Sequence, residues 1–191
     1  ASTLRAAGVR MAFTVPGESF LPVLDALVAA GIRVVPTRHE GAAAFAAEAY
    51  GQLTGRPAAC LGTRAVGAAN LAIGVHTATA DSTPMFVIVG DVQRGLAGRE
   101  AFQEVDLAGT IGALAKWAGR IDDAESAAAT LEAAVRATVE GRPGPALIAV
   151  PEDVLELAIP EGTRAPAVRP HPETPSASDI RAVLHFLAGA E

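Results

Sequence analysis

The chain has 191 residues, of which 50% are apolar and 19% charged, so it can form a hydrophobic core and is not an intrinsically disordered chain. The net charge of −6 is spread along the sequence without a basic block, which argues against nucleic acid as a partner. The single cysteine, Cys60, predicts a protein without disulfides in a reducing cytoplasm, and the four scattered histidines predict no metal site within this chain. No apolar run approaches the roughly 20 residues that span a bilayer, so we expect a soluble protein.

Short apolar runs alternate with longer helical patterns along the first 155 residues. This alternation is typical of a parallel α/β sheet, and it predicts a doubly wound sheet of six strands with helices on both faces. In chain order, the predicted elements are strand 12–15, helix 20–30, strand 33–36, helix 40–54, strand 58–61, helix 67–79, strand 85–89, helix 105–114, strand 116–121, helix 124–140 and strand 146–150.

The end of the chain has a different character. Five prolines between residues 160 and 178, with no hydrophobic period, predict an extended linker. Ser178 and Asp179 offer an N-cap for an apolar-periodic helix over residues 180–187. We therefore divide the chain into a domain over residues 1–159, a linker over 160–178 and the start of a truncated central domain over 179–191.

The loops that follow the predicted strands are where an open parallel sheet binds its ligands. One of them, Thr37-Arg38-His39-Glu40, opens an alanine-rich helix. A capping box, with Thr37 as N-cap and Glu40 at N3, is one interpretation of this segment. A carboxylate that exchanges a proton with a bound heterocycle is the other. The sequence lacks both common glycine-rich phosphate motifs, so we do not expect this domain to hold a phosphate group.

Two helices in this domain consist almost wholly of small apolar residues, over residues 41–50 and 67–74. Helices of this kind are buried, often against another helix at short range. Core packing would account for them, and burial in a subunit interface is the alternative. Two such helices in so small a domain favour a homo-oligomer.

Several short strings occur in the order and spacing of one enzyme family. They are Val15-Pro16-Gly17-Glu18-Ser19, Arg38-His39-Glu40-Gly41-Ala42-Ala43, Gly67-Ala68-Ala69-Asn70, Asp81-Ser82-Thr83-Pro84, Gly90, Ala101-Phe102-Gln103-Glu104-Val105-Asp106 and Gly141-Arg142-Pro143-Gly144-Pro145. Over residues 1–157 the sequence resembles the N-terminal, pyrimidine-binding domain of thiamine-diphosphate-dependent enzymes of the acetolactate synthase type.

The resemblance implies an enzyme that decarboxylates or ligates 2-oxo acids such as pyruvate, in branched-chain amino acid biosynthesis. Glu40 matches the glutamate that hydrogen-bonds N1′ of the cofactor's aminopyrimidine and so activates the cofactor. Gly17, Gly67, Ala68 and Asn70 match cofactor-binding positions, and Phe102 and Gln103 match residues that face the substrate. Magnesium and the diphosphate are expected on a C-terminal domain that this chain lacks. FAD is compatible with the resemblance, but no motif indicates it, and the chain alone is expected to be inactive.

The sequence departs from the family at Ala65-Val66-Gly67, where Gly-Pro-Gly is common. Glycine permits positive φ and proline fixes φ near −65°, so the departure predicts an altered backbone at this point. Two alternatives to an acetolactate synthase stay open. One is another family member, resembling a benzoylformate decarboxylase or a glyoxylate carboligase. The other is a non-catalytic α/β assembly module that keeps the interface helices.

Overall fold

A computed structural model of the protein describes residues 1–159 and 174–189. Its first part is built on one sheet of six parallel strands, in the order β2-β1-β3-β4-β6-β5. The strands are β1 (Met11–Thr14), β2 (Arg33–Pro36), β3 (Ala58–Thr63), β4 (Met85–Asp91), β5 (Trp117–Arg120) and β6 (Pro145–Pro151). All six predicted strands are present, within three residues of their predicted ends.

Helices cover both faces of this sheet, which confirms the doubly wound fold. These helices are α1 (Ser2–Ala6), α2 (Leu21–Ala29), α3 (Glu40–Thr54), α4 (Arg64–Ala80) and α5 (Ala127–Val139), and the second described range contains one more helix, α6 (Ala177–Ala188). Apolar residues of α1, α2 and α5 form the core on one face. Those of α3 and α4 form the core on the other. Alanine and glycine let α3 and α4 approach closely, since a Cβ on Gly74 would lie 2.4 Å from the Cβ of Ala44.

The central strands β3, β4 and β6 are buried almost throughout, as a sheet covered on both sides requires. β2 and β5 lie at the two edges of the sheet and are only partly buried, because each has a neighbouring strand on one side alone. Helix α1 was not predicted, because its five residues are too few to show a periodic pattern.

The predicted helix over residues 105–114 was wrong. The chain there forms turns and then a short 3₁₀ helix, Ile111–Leu114. The carboxylate of Asp106 accepts a hydrogen bond from the amide of Gly109 at 2.9 Å, which favours a turn over a helix. Gly112 packs against Leu107 and Ala118 so closely that an added Cβ would lie 2.5 Å from the Cβ of Ala118. Local hydrogen bonds and close packing therefore determine the conformation of this segment, although its apolar residues repeat with a helical period.

The predicted linker lies mostly outside the described residues. Helix α6 begins at Ala177, two residues before the predicted central domain. Its N-cap is Ser176, not Ser178 or Asp179, because Ser176 and Asp179 form a capping box: the Ser176 hydroxyl accepts from the Asp179 amide, and the Asp179 carboxylate accepts from the Ser176 amide. No helix within residues 1–159 and 174–189 is long and apolar enough to cross a membrane.

The strand order places a topological switch point beside β1. After β2 the chain returns to form β3 on the opposite side of β1, so the loops after these three strands diverge at one edge of the sheet. Ligands of open α/β sheets bind in the crevice at such a point, beyond the carboxyl ends of the strands. Gly17, Glu40 and Gly67 all lie at this edge.

Candidate active site

Glu40 is the first residue of α3, directly after the turn that follows β2. The predicted capping box was wrong. The N-cap is His39, whose Nδ1 accepts a hydrogen bond from the amide of Gly41 at 3.0 Å. The Thr37 hydroxyl instead donates to the carbonyl of His39. Because His39 caps the helix, the Glu40 carboxylate is not used as a cap and is directed elsewhere.

The Glu40 carboxylate faces α4. The side-chain amide of Asn70 donates a hydrogen bond to Oε2 of Glu40 at 2.9 Å, and both residues are partly buried. Gly67 lies one turn earlier on α4, where an added Cβ would come within 3.5 Å of Oε1. One carboxylate oxygen is therefore held by Asn70, and the other lies beside a residue that has no side chain.

The connection from β3 to α4 contains no loop, and the helix predicted over residues 67–79 begins three residues earlier than expected. α4 begins at Arg64, immediately after Thr63 ends β3. Arg64 makes this turn with φ = +45°, a left-handed conformation that costs a residue with a side chain of order 1–3 kcal/mol. Gly67 then packs on the backbone of Gly62, since a Cβ on it would lie 2.9 Å from the Gly62 carbonyl carbon.

Arg64 forms two ion pairs at this edge, and sequence reasoning did not identify it. Nη1 lies 3.4 Å from Oε1 of Glu18, in the segment after β1. Nη2 lies 3.2 Å from Oε2 of Glu152, in the 3₁₀ turn after β6. Only 14% of the Arg64 side chain is exposed. The available signal was an arginine that directly follows a buried apolar strand at the ligand-binding edge.

Gly17 follows β1 and lies against β3. A Cβ on Gly17 would be 1.7 Å from the hydroxyl oxygen of Thr63, so only glycine allows this approach. Ser19 packs against Gly90 at the end of β4 in a similar way, because a Cβ added to Gly90 would lie 2.2 Å from the Ser19 hydroxyl oxygen. The hydroxyls of Ser19 and Thr63 are both buried and have no hydrogen-bond partner within the described residues.

Phe102 and Gln103 lie in the segment after β4. The Phe102 side chain is 74% exposed. Gln103 adopts φ = +63°, and its carbonyl accepts a hydrogen bond from the amide of Ala65 at the start of α4. The Gln103 Oε1 atom is buried without a partner in the described part of the chain. The segment therefore lies against α4 near the other candidate residues.

Glu104 stabilises the turn conformation of the segment after β4. Its two carboxylate oxygens accept hydrogen bonds from the amides of Gly98 and Ala101. The amide of Gly98, followed by that of Ala101, lowers the pKa of the Glu104 carboxyl from its ordinary value. The ionised form is therefore the one that orders the segment.

The structure thus brings together Glu40, Asn70 and Gly67, with Gly17 and Gln103 beside the same junction of β3 and α4. Ala68 is placed differently, because it is fully buried and packs in the core with Leu71 and Val75. Within residues 1–159 and 174–189, no group of three or more His, Cys, Asp or Glu side chains is arranged to hold a metal ion.

Comparison with known families shows which family the chain belongs to. Residues 1–110 match the model of the thiamine pyrophosphate enzyme family, N-terminal TPP binding domain. The chain belongs to this family. The matched residues include Glu40, Asn70 and the segment around Gln103.

Acetolactate synthase large subunits are similar to this thiamine pyrophosphate enzyme domain. Over 98% of the chain's length, it is 36% identical to the acetolactate synthase large subunit of Parasynechococcus marenigrum. Over 79% of the chain's length, it is 40% identical to a probable acetolactate synthase large subunit of Methanocaldococcus jannaschii. It is 38% identical, over 79%, to the acetolactate synthase isozyme 2 large subunit of Escherichia coli. These matches cover 32%, 26% and 28% of the relatives, so the chain spans about a third of their length or less.

Proposed function

We propose that this chain supplies the pyrimidine-binding side of the active site in a thiamine-diphosphate-dependent enzyme of the acetolactate synthase type, with Glu40 as its catalytic residue. The observation that carries the proposal is the orientation of the Glu40 carboxylate, with Oε2 held by Asn70 and Oε1 beside Gly67. A fixed carboxylate with one unused oxygen is what proton exchange with a ring nitrogen requires.

The chain's own residues perform three tasks in this proposal. Asn70 keeps Glu40 in one rotamer by a hydrogen bond to Oε2. Gly67 has no side chain beside Oε1, and its close packing on Gly62 keeps the start of α4 next to the carboxylate. Glu40 would then hold or release a proton at Oε1, shared with a ring nitrogen of the bound pyrimidine.

The residues present fit the pyrimidine end of thiamine diphosphate. Besides the Glu40 carboxylate, buried polar atoms of Ser19, Thr63 and Gln103 have no partner in the described part of the chain, and all three residues lie at this edge of the sheet. When bound, the cofactor supplies an electron sink for the decarboxylation of a 2-oxo acid. We propose that magnesium and the diphosphate are held by another part of the enzyme.

We propose a 2-oxo acid such as pyruvate as the substrate, with Phe102 and Gln103 facing it. Two features support this assignment. The three relatives named above are acetolactate synthase large subunits. Phe102 is exposed at the ligand-binding edge, and the side-chain oxygen of Gln103 beside it is buried and has no partner among the described residues, so it can accept a hydrogen bond from a ligand.

We propose that the enzyme is a homo-oligomer whose subunits meet on α3 and α4. This pair of helices exposes large apolar side chains, which a second subunit would cover: Phe45, Leu53, Val66 and Ile73. The same surface supports the second candidate function, a non-catalytic assembly module, for which the surface would be needed but Glu40 would not.

The test is Glu40→Gln in the full enzyme that contains this chain, with thiamine diphosphate and magnesium. Glutamine can accept the Asn70 hydrogen bond but cannot exchange a proton. We therefore expect normal folding and a loss of roughly 10²- to 10⁴-fold in both pyruvate consumption and hydrogen–deuterium exchange at the cofactor's C2.

Equal rates in wild type and Glu40→Gln would reject the role of Glu40. The absence of activity in the wild type with pyruvate, benzoylformate and glyoxylate would favour the assembly module. Activity with benzoylformate or glyoxylate instead of pyruvate would retain Glu40 as the catalytic residue and reassign the substrate.

A further inference from the structure

Arg64 lies where three segments of the ligand-binding edge meet. It follows β3 directly and opens α4. Its guanidinium pairs with Glu18, which follows β1, and with Glu152, which follows β6. The sheet order separates β1 from β6 by β3 and β4, so this one side chain connects loops across most of the sheet.

The two ion pairs differ in exposure. Glu18 is 62% exposed and 3.4 Å from Arg64, so this pair is weak in water. Glu152 is 32% exposed and 3.2 Å away, so it is the stronger partner of a guanidinium that is itself largely buried. A buried charge requires partners, and removal of Glu152 would leave Arg64 with only the exposed carboxylate.

The segments that Arg64 connects carry the candidate cofactor contacts. Arg64, Gly67 and Asn70 are spaced by three residues on α4, so they lie along one side of the helix. Glu18 directly follows Gly17. The ion pairs therefore hold the Gly17 segment and the Gly67–Asn70 side of α4 in a fixed relation, with Glu152 in the turn after β6 as the second point of attachment.

We propose that Arg64 is a positioning residue, which fixes the start of α4 so that Asn70 and Gly67 hold Glu40 in its active orientation. The proposal rests on the proposed function of Glu40. Arg64 acts through α4 and the Gly17 segment and makes no contact with the reacting atoms. Its left-handed backbone supports this role, because φ = +45° places the guanidinium at the start of the helix, between the two carboxylates.

The experiment compares Arg64→Met, which keeps an unbranched apolar side chain, with Arg64→Lys, which keeps the charge. Arg94→Met is the matched control, because Arg94 pairs with Asp153 at 2.8 Å in the same turn as Glu152 but lies on neither segment that carries a candidate cofactor residue. For each full-length variant we would measure deuterium exchange at C2 of thiamine diphosphate at saturating cofactor, the dissociation constant of the cofactor with magnesium, and the unfolding temperature.

We expect Arg64→Met to lower the exchange rate at saturation by roughly 10- to 100-fold, because a misplacement of about 1 Å costs this much in a catalytic arrangement. Cofactor affinity should fall as well. Arg64→Lys should recover part of both losses, and Arg94→Met should match wild type in both even where it lowers the unfolding temperature.

A wild-type exchange rate in Arg64→Met, or an equal loss in Arg94→Met, would overturn the proposal. If Arg64→Met does not fold, Glu152→Gln provides the test, since it removes only the stronger pair, and a wild-type exchange rate in this variant would likewise overturn the proposal.

Glu40→Gln separates the proposal on Arg64 from the proposal on Glu40. Rapid exchange in that variant refutes the role of Glu40 itself, whereas slow exchange there with normal exchange in the Arg64 variants refutes only the role of Arg64.

Discussion

Asn70 and Glu40 are joined by a hydrogen bond of 2.9 Å from the side-chain amide to Oε2, across 30 residues of sequence. Glu40 begins α3 and Asn70 lies in the second turn of α4, so the bond connects the helices that follow β2 and β3. Small residues at the contact let the two helices approach closely enough to form it. The bond also distinguishes the two carboxylate oxygens, because only Oε1 remains unused.

Asn70→Ala should slow deuterium exchange at C2 of the bound cofactor by about 10- to 100-fold, because a hydrogen bond to a charged group contributes about 1.5–3 kcal/mol. Gln52→Ala is the control. The amide of Gln52 donates to the Asp81 carboxylate at 3.1 Å, also between α3 and the end of α4, but away from Glu40. Equal exchange rates in the two variants would contradict a specific role for Asn70.

Gly67→Ala should destabilise the protein by roughly 1–3 kcal/mol, because the new Cβ would lie 2.9 Å from the carbonyl carbon of Gly62 and neither backbone can yield easily. Gly95→Ala is the control, because an added Cβ there meets nothing within 4 Å. Its effect should stay within about 0.5 kcal/mol. Urea unfolding of both variants measures the difference, and similar midpoints would refute the close approach of Gly67 to Gly62.

The segment that carries Phe102 and Gln103 should lose order in acid. The amides of Gly98 and Ala101 lower the pKa of the Glu104 carboxyl, so its stabilising effect is complete above the ordinary glutamate pKa and is lost as the pH falls through the lowered value. Amide-exchange protection at Gly98 and Ala101 should follow this titration.

Glu104→Gln should reduce the protection of these two amides at neutral pH. Glu100→Gln should not, because the Glu100 side chain makes no hydrogen bond to the described residues. Protection in Glu104→Gln equal to that in wild type would show that the carboxylate does not order the segment.

Cys60 should resist thiol reagents in the folded protein. It is fully buried in β3, and burial raises the pKa of its thiol to about 12. At pH 8 almost none of it is the reactive thiolate. Alkylation with iodoacetamide should therefore be slow in native protein and rapid in urea, and rapid labelling without urea would contradict the burial of β3.

Much of the architecture could be predicted from the local pattern of apolar residues. All six strands and helix α3 follow from it, since buried strands and helices repeat their apolar positions with different periods. The segment over residues 105–114 has a helical pattern too, but Asp106 accepts a local backbone hydrogen bond, and Gly112 packs against Ala118. Such contacts have no periodic signature.

The sequence by itself determined the doubly wound class and the placement of Glu40 at the ligand-binding edge, because local apolar patterns predict the buried strands and Glu40 follows the end of one of them. Only the tertiary structure decided which groups meet there. The hydrogen bond from Asn70 to Glu40, the cap by His39 and the ion pairs of Arg64 join residues on different elements. Their partners depend on distances that only the packing of those elements determines.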